Sequence, residues 1–494
     1  MSRPTETLGS RARRGAVFTV AGHASGYVLR FASSLILTRL LFEEAFGLMS
    51  IVHALLTGLT LFSDVGIGPS IVQNERSDSR FLGTAFAVQV ARGMLLTLAA
   101  ALLAWPCARL YGHDELLWLI PVVGLNAGIS GLNSTKLFVL QREVAIGRVT
   151  LVNLVSQLAS FGTMLIWSLL YPSVWALVGG ALVSSVTQML LSQLLLPGPM
   201  DRFAWDREAL KSLLRFGRWI FLSTALTFLT GQSIDRLVFG RLIPLDALGV
   251  YHVAATLAAI PLGLLSALAD QVIFPVLSKV QRSGKPLGLI FRRTRLPVQV
   301  AAGWAFSGLI AGGPTALRVL YDERWWDGGW VIQLIGASSW FSVCATTQRA
   351  VLAARGEVHM LALGSGIKLL AMGMCISVGF AHFGFFGAVA GFALSEVFRY
   401  LAMSWAVSRM GLDALRHDLV FSVWIGVVGL VVWQGALYAR SVGVPLHIEA
   451  SLVTFAVTVA WLPLAWRPAI DLVRARGEDP TLASAAIGGG VPSK

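Results

Sequence analysis

Arg39-Leu40-Leu41-Phe42-Glu43-Glu44-Ala45-Phe46-Gly47 returns 202 residues later as Arg241-Leu242-Ile243-Pro244-Leu245-Asp246-Ala247-Leu248-Gly249. The correspondence continues in the same order along the chain. Asp64 and Pro69 match Asp270 and Pro275, and Arg76-Ser77 matches Arg282-Ser283, at an offset of 206. Val88-Gln89-Val90-Ala91-Arg92-Gly93 matches Val298-Gln299-Val300-Ala301-Ala302-Gly303, and Leu110-Tyr111 matches Leu320-Tyr321, at 210. Glu143-Val144 matches Glu357-Val358 at 214. One such match could be chance in an apolar chain, but four in one order, with a slowly growing offset, mark an internal duplication.

The duplicated unit is a membrane unit. Of 494 residues, 55% are hydrophobic and 13% are charged, about half the charged share of a soluble domain. A large water-soluble globule is excluded, and at about 20 apolar residues per helix the chain has room for roughly 13 or 14 spans. Hydropathy places fourteen, near 15–38, 46–72, 82–105, 116–138, 146–170, 174–196, 216–240, 248–277, 296–317, 328–348, 359–380, 385–407, 419–438 and 448–466. The fold class expected is an all-α polytopic membrane protein with two six-helix lobes and two C-terminal helices. Its parts are 1–196 (spans 1 to 6), a linker at 197–215, 216–407 (spans 7 to 12), 408–466 (spans 13 and 14) and a tail at 467–494. Each repeat begins on the same side, so the lobes have parallel topology.

Orientation follows from Lys and Arg. Of 39 such residues, 28 fall on the side that holds both termini, against six on the other (Arg39, Arg109, Arg241, Arg318, Arg324 and Arg440). Both termini are expected in the cytoplasm. The net charge of +13 therefore records orientation and implies no nucleic-acid partner. In the linker, Phe203, Trp205, Leu210, Leu213 and Leu214 alternate with Asp206, Arg207, Glu208 and Lys211, which fits an amphipathic interfacial segment as well as a solvated connector. The tail from about 477 reads as disordered. The first span lacks a small-residue cleavage pattern and is read as a retained helix. Cys107, Cys344 and Cys375 lie far apart, without metal-ligand spacing and with no disulfide expected. No HExxH, P-loop or nucleophile elbow is present. Asn133-Ser134-Thr135 fits a glycosylation sequon but is assigned to the cytoplasmic end of span 4.

Ile36-Leu37-Thr38-Arg39-Leu40-Leu41, then Glu43-Glu44-Ala45-Phe46-Gly47-Leu48, then Asp64-Val65-Gly66-Ile67-Gly68 with Ile71-Val72-Gln73 resembles the opening of the polysaccharide-transport branch of the multidrug/oligosaccharidyl-lipid/polysaccharide exporter superfamily. The family usually has Pro in the first outer loop, where this chain has Phe42-Glu43-Glu44; the second repeat does carry Pro244. The resemblance implies two six-helix lobes arranged as a V around a central cavity. It implies a flippase, not an enzyme, that moves polyprenyl-pyrophosphate-linked oligosaccharides across the bacterial inner membrane by alternating access. Lipid-linked oligosaccharide and membrane lipids are the expected partners, with a polysaccharide polymerase and export machinery as further candidates. No cofactor is expected, and an H⁺ or Na⁺ gradient is the candidate energy source. A peptidoglycan-precursor (lipid II-like) flippase and a cation-coupled multidrug extruder remain as alternatives on the same fold; a membrane polymerase or ligase is disfavoured by the short outer loops.

Nine charged residues fall inside the expected spans more than three residues from an end: Arg30, Asp64, Arg92, Asp235, Arg236, Asp270, Lys368, Glu396 and Arg399. A charge near the bilayer centre costs about 2.5–3.5 kcal/mol on insertion scales, so each must face a cavity or a partner. Arg30, Arg92 and Lys368 have no acid at helical spacing and are the candidate substrate-binding cations, with pairing to an acid on another helix as the alternative. An Arg fork suits the pyrophosphate that the resemblance implies. In the repeat Arg30 stands opposite Gln232 and Arg92 opposite Ala302, an asymmetry that suits an asymmetric cargo. Glu396 and Asp235 are candidates for ion coupling. Glu396 and Arg399 also have the spacing of an intrahelical salt bridge, Arg236 can snorkel, and the matched Asp64 and Asp270, each five residues before a Pro, suggest a shared structural role.

Overall fold

The computed structural model describes residues 25–478 apart from positions 27, 65, 74–77, 144–145, 199–200, 232, 284–286 and 413. The expected disordered tail, the first turns of the span at 15–38 and the Arg76-Ser77 repeat match lie outside the described residues. Within them every regular element is helical, as hydrocarbon requires of a backbone that cannot turn to water. In order these are α1 (28–40), α2 (Glu43–Phe62), α3 (Ile67–Gln73), α4 (Ser79–Tyr111), α5 (Leu116–Gly131), α6 (Lys136–Arg142), α7 (Ile146–Leu170), α8 (Val174–Leu194), α9 (Arg207–Thr230), α10 (Ile234–Leu242), α11 (Leu245–Leu268), α12 (Phe274–Arg282), α13 (Leu287–Leu320), α14 (Gly329–Ala354), α15 (Val358–Ser408), α16 (Leu415–Ser441) and α17 (Leu446–Glu478).

Among the described residues nine helices are long and apolar enough to cross a membrane, or ten if the bent pair α5 and α6 counts as one span. The polytopic all-α class is thus as expected, while the count of fourteen is not confirmed, since broken spans fall short of that length and the start of the first span lies outside the described residues. The span drawn at 216–240 is broken between α9 and α10, where Gly231 leaves helical geometry. The span drawn at 248–277 passes through a π-helical turn at Ala269–Ile273. The spans drawn at 359–380 and 385–407 are two helices, labelled together as α15, that meet at the non-helical Gly384, with φ +58°, a conformation that suits glycine; their arms face each other, a Cβ at Gly379 overlapping the Gly387 carbonyl.

By contacts the chain divides into two compact units, Met1–Gly249 and Val250–Lys494. The division falls after α10 and not in the 197–215 linker, because α9 and α10 pack on α2. The Thr224 hydroxyl donates to the Leu61 carbonyl at 2.8 Å, Phe228 closes over Gly58, and Gly240 admits Ile51 and Tyr111. The linker is fastened to the same unit. Ser134 and Thr135 donate to the Asp201 carboxylate, the Asp206 N–H donates to Thr84 at 3.0 Å, and the Asp206 carboxylate caps α9 through the Glu208 N–H. Phe203 and Trp205 are exposed.

The opening repeat makes a symmetric contact with itself. A Cβ at Gly47 would overlap the Leu245 carbonyl, and one at Gly249 would overlap the Glu43 carbonyl. Glu43 and Leu245 are repeat equivalents, as are Gly47 and Gly249, and all four belong to the first unit. Two helix starts meet there backbone to backbone, which only glycine permits.

In the second unit α13 is the central element. Phe306, Trp340, Phe421 and Trp461 join α13, α14, α16 and α17 in one buried cluster. Three polar links fasten α16 and α17, the helices outside the repeat, along α13. Near one end Arg295 donates to Asp418 at 2.6 Å, and Gln299 donates to the same carboxylate at 2.7 Å. In the middle the Trp461 indole donates to Ser307 at 2.9 Å. Near the other end Thr315 and Arg440 donate to Glu449 at 2.7 and 2.6 Å.

Two outcomes follow for thermal unfolding in detergent. Gly47→Ala should cost about 1–3 kcal/mol, the range for overpacking, because a backbone carbonyl cannot yield. Gly373→Ala, where a Cβ meets nothing within 4 Å, should be neutral or stabilising. Asp418→Ala strands the buried Arg295 and should cost about 3–5 kcal/mol; the double variant Arg295→Met, Asp418→Leu should recover most of that loss.

Candidate functional site

A cavity of about 670 Å³ lies within the first unit, among α2, α4 and α5 and the α2–α3 turn, with Phe138 of α6 on one wall. That volume is within the range of small-molecule sites. The turn is set by its own sequence: the Asp64 carboxylate accepts the Gly66 N–H at 2.9 Å, and Gly66 has φ +64°. Opposite, Arg92 covers the end of α2, donating through Nη2 to the Thr60 carbonyl at 2.7 Å and through Nε to the Ser63 hydroxyl at 3.1 Å. It thereby satisfies groups that a helix C-terminus leaves open. Gln89, one turn earlier on α4, donates to the carbonyls of Gly131 and Asn133 at 3.0 and 2.9 Å, which holds open the bend between α5 and α6, measured at 60°. Two of the charged residues singled out in the sequence, Arg92 and Asp64, meet at this cavity.

The others lie elsewhere. Arg30 is exposed on α1 and has no ion pair among the described residues. Asp235 is buried at 2% exposure in the first turn of α10, with Arg236 beside it, half-buried. In the second unit Lys368 and Arg399 both pair with Glu396; the Arg399 contact, at 2.7 Å, is the i,i+3 pair that the spacing allowed. The acid that meets Lys368 comes from beyond the Gly384 break of α15, so that pair is not at helical spacing. Lys368 is 2% exposed, and Arg399 also donates to Ser342 of α14 at 2.8 Å. The matched Asp64 and Asp270 have different partners: Asp64 binds backbone, whereas Asp270 pairs with Arg349.

Sequence reasoning missed the Arg295–Asp418 pair and the Arg440–Glu449 pair. Arg295 and Asp418 each stand one residue outside the span edges drawn at 296 and 419, so both read as surface charges. Tyr400 and Gln348 also donate to Asp418, at 3.0 and 3.5 Å. The signal available was the pairing of Gln89 with Gln299 in the repeat, since a retained amide in an apolar helix needs a partner. Among the described residues no cluster of His, Cys, Asp or Glu could hold a metal ion.

These helices, with charges held inside them, define a multi-pass membrane protein of transporter fold. The fold matches that of the lipid II flippase MurJ in its inward closed conformation, with a TM-score of 0.72 at 12% identity over 93% of this chain and 100% of that one. It also matches an inward-facing multidrug resistance MATE family transporter of the MOP superfamily, with a TM-score of 0.58 at 13% identity over 78% of this chain and 94% of that one. The polysaccharide biosynthesis protein family matches residues 36–328, and the chain belongs to that family. Among its relatives are the lipopolysaccharide biosynthesis protein WzxC of Escherichia coli (strain K12), 21% identical over 79% of each chain, and the succinoglycan biosynthesis transport protein ExoT of Rhizobium meliloti (strain 1021), 21% identical over 80% of each. The teichuronic acid biosynthesis protein TuaB of Bacillus subtilis (strain 168) is 21% identical over 62% of this chain and 64% of its own.

Removing the shared acid of the second-unit cluster tests how tightly it is held. Glu396→Ala leaves two embedded cations facing no carboxylate and should cost about 3–5 kcal/mol in detergent unfolding. In a double-mutant cycle with Lys368→Met, the coupling energy should fall within about 0.5–3 kcal/mol.

Proposed function

We propose that the protein is a flippase that moves polyprenyl-pyrophosphate-linked oligosaccharide repeat units across the bacterial inner membrane by alternating access, supplying surface or exopolysaccharide synthesis. The observation that carries this reading is the family match over residues 36–328. The names of the relatives, lipopolysaccharide, succinoglycan and teichuronic acid biosynthesis, support a surface glycan as the cargo. In this reading both termini are cytoplasmic, the prenyl tail stays in lipid, and the pyrophosphate-sugar headgroup crosses through the protein. Arg30, Arg92 and Lys368 are the cations that meet the headgroup as it passes. Glu396 or Asp235 couples the cycle to an H⁺ or Na⁺ gradient, and a polymerase and export machinery take over the flipped unit.

A peptidoglycan-precursor flippase is the second reading, favoured by the fold match to MurJ, which at 12% identity speaks for fold alone. Embedded cations such as Arg92 disfavour a cationic drug as cargo.

The test is export in cells whose own flippase gene is deleted. The wild-type chain should restore the surface glycan and clear the accumulated lipid-linked units. Arg30→Ala, at normal protein level, should lower export at least tenfold, the loss expected when one charge-assisted contact of about 1.5–3 kcal/mol is removed. Full export by Arg30→Ala would remove that residue from the headgroup path. Restoration of peptidoglycan-precursor flipping instead of glycan export would select the second reading.

A further inference from the structure

The α4 face that lines the first-unit cavity has a counterpart in the repeat, and the two copies have opposite fates. Gln89, Arg92, Gly93 and Leu96 line the cavity; at the offset of 210 they correspond to Gln299, Ala302, Gly303 and Phe306 of α13. In the second unit that face is covered by the chain itself. Gln299 is tied to Asp418 of α16, a Cβ at Gly303 would overlap the Trp461 ring of α17, and Ala302 and Phe306 are fully buried in the cluster that contains Trp461. The copy without extra helices keeps the polar groups and leaves room beside them.

The hydrogen-bonding chemistry of that room selects among occupants. Among the described residues, Gln89 Oε1 and Asp64 Oδ2 accept no hydrogen bond, and Asn133 Oδ1 is buried without a donor. Arg92 Nη1 and Asn126 Nδ2 likewise have no acceptor, since Arg92 is engaged through Nε and Nη2 and Asn126 through its oxygen, which accepts from Ser185. Thr57 and Ser130 also line the cavity, and among the described residues their hydroxyls make no hydrogen bond. Acceptors, donors and hydroxyls are therefore mixed on a wall made apolar by Val123 and Phe138. A pyrophosphate only accepts hydrogen bonds, and it would meet the free oxygens of Gln89 and Asp64 across from one guanidinium. Sugar hydroxyls both donate and accept, and the C–H faces of a pyranose match the apolar wall.

We infer that this cavity is a saccharide subsite, which takes uncharged sugar residues of the cargo beyond the one joined to the pyrophosphate. The inference rests on the proposed flippase function and assigns Arg92, with Asp64, to the glycan, leaving the pyrophosphate to Arg30 and Lys368.

The experiment uses the full chain in proteoliposomes, loaded together with two probes: the intact lipid-linked repeat unit and its one-sugar precursor, both purified from the producing cells. Its readout is the ratio of their flipping rates, from which the amount of folded protein cancels. Thr57→Trp, which fills the cavity, should lower the long-to-short ratio at least tenfold. Thr57→Val, which keeps the volume and removes the hydroxyl, should lower it about threefold and serves if the larger substitution does not fold. Leu98→Trp, on the exposed face of α4, should leave the ratio unchanged. An unchanged ratio in both Thr57 variants, or an equal fall for both probes, overturns the saccharide subsite while leaving the flippase intact. A wild-type chain that moves neither probe overturns the proposed function itself, and the subsite with it.

Discussion

Hydrocarbon offers no water to a polar group, and most of this structure can be derived from that constraint. It makes the backbone helical and makes a charge placed among the helices costly unless a cavity or another part of the chain meets it. Arg295 is answered by Asp418 across 123 residues of sequence, Arg440 by Glu449, and Lys368 and Arg399 by Glu396. Arg92 is met by a helix end, through the Thr60 carbonyl and the Ser63 hydroxyl. Since an ion pair taken out of water gains little net stability, these links matter chiefly for which helix lies against which. Asp418, with four donors around it, fixes the placement of α16 in a way that apolar packing alone would leave open.

The duplication sets the frame, and its departures from symmetry distinguish the units. The opening repeats meet through Gly47 and Gly249 in a contact that treats both copies alike. Further along they diverge: α13 receives α16 and α17 on the face whose counterpart on α4 borders a cavity. Helices added outside the repeat thus fill one copy and leave the other open, and a symmetric scaffold acquires a polar site on one side. The glycan cargo proposed above has no such symmetry, and under that proposal one copy that can hold it serves better than two identical ones.

Much of the fold was legible because its signals are local. Apolar run lengths gave the class, the Arg39 and Arg241 repeats gave the duplication, and the stretch over residues 36–73 gave the family that the comparison over residues 36–328 shows. Span counting was weaker where a helix stops and restarts within one apolar run, as at Gly231. Hydropathy averages over such breaks. Of the candidate site, the embedded charges were visible but their surroundings were not. Lys368 and Arg92 look alike in sequence, each a cation in an apolar run, yet one is buried against a carboxylate and the other borders a cavity.

The sequence by itself determined a duplicated, all-helical membrane protein, because hydrophobic run length, cation placement and repeat spacing act within one helix or between corresponding ones, and the resemblance over residues 36–73 pointed to the polysaccharide biosynthesis family that the comparison shows. Only the tertiary structure decided which charges are paired, that the helices outside the repeat lock onto α13, and that the first unit keeps an open polar face. Those outcomes depend on side chains from distant helices arriving within about 3 Å of each other, the reach of a hydrogen bond, and no periodicity along the chain encodes that distance.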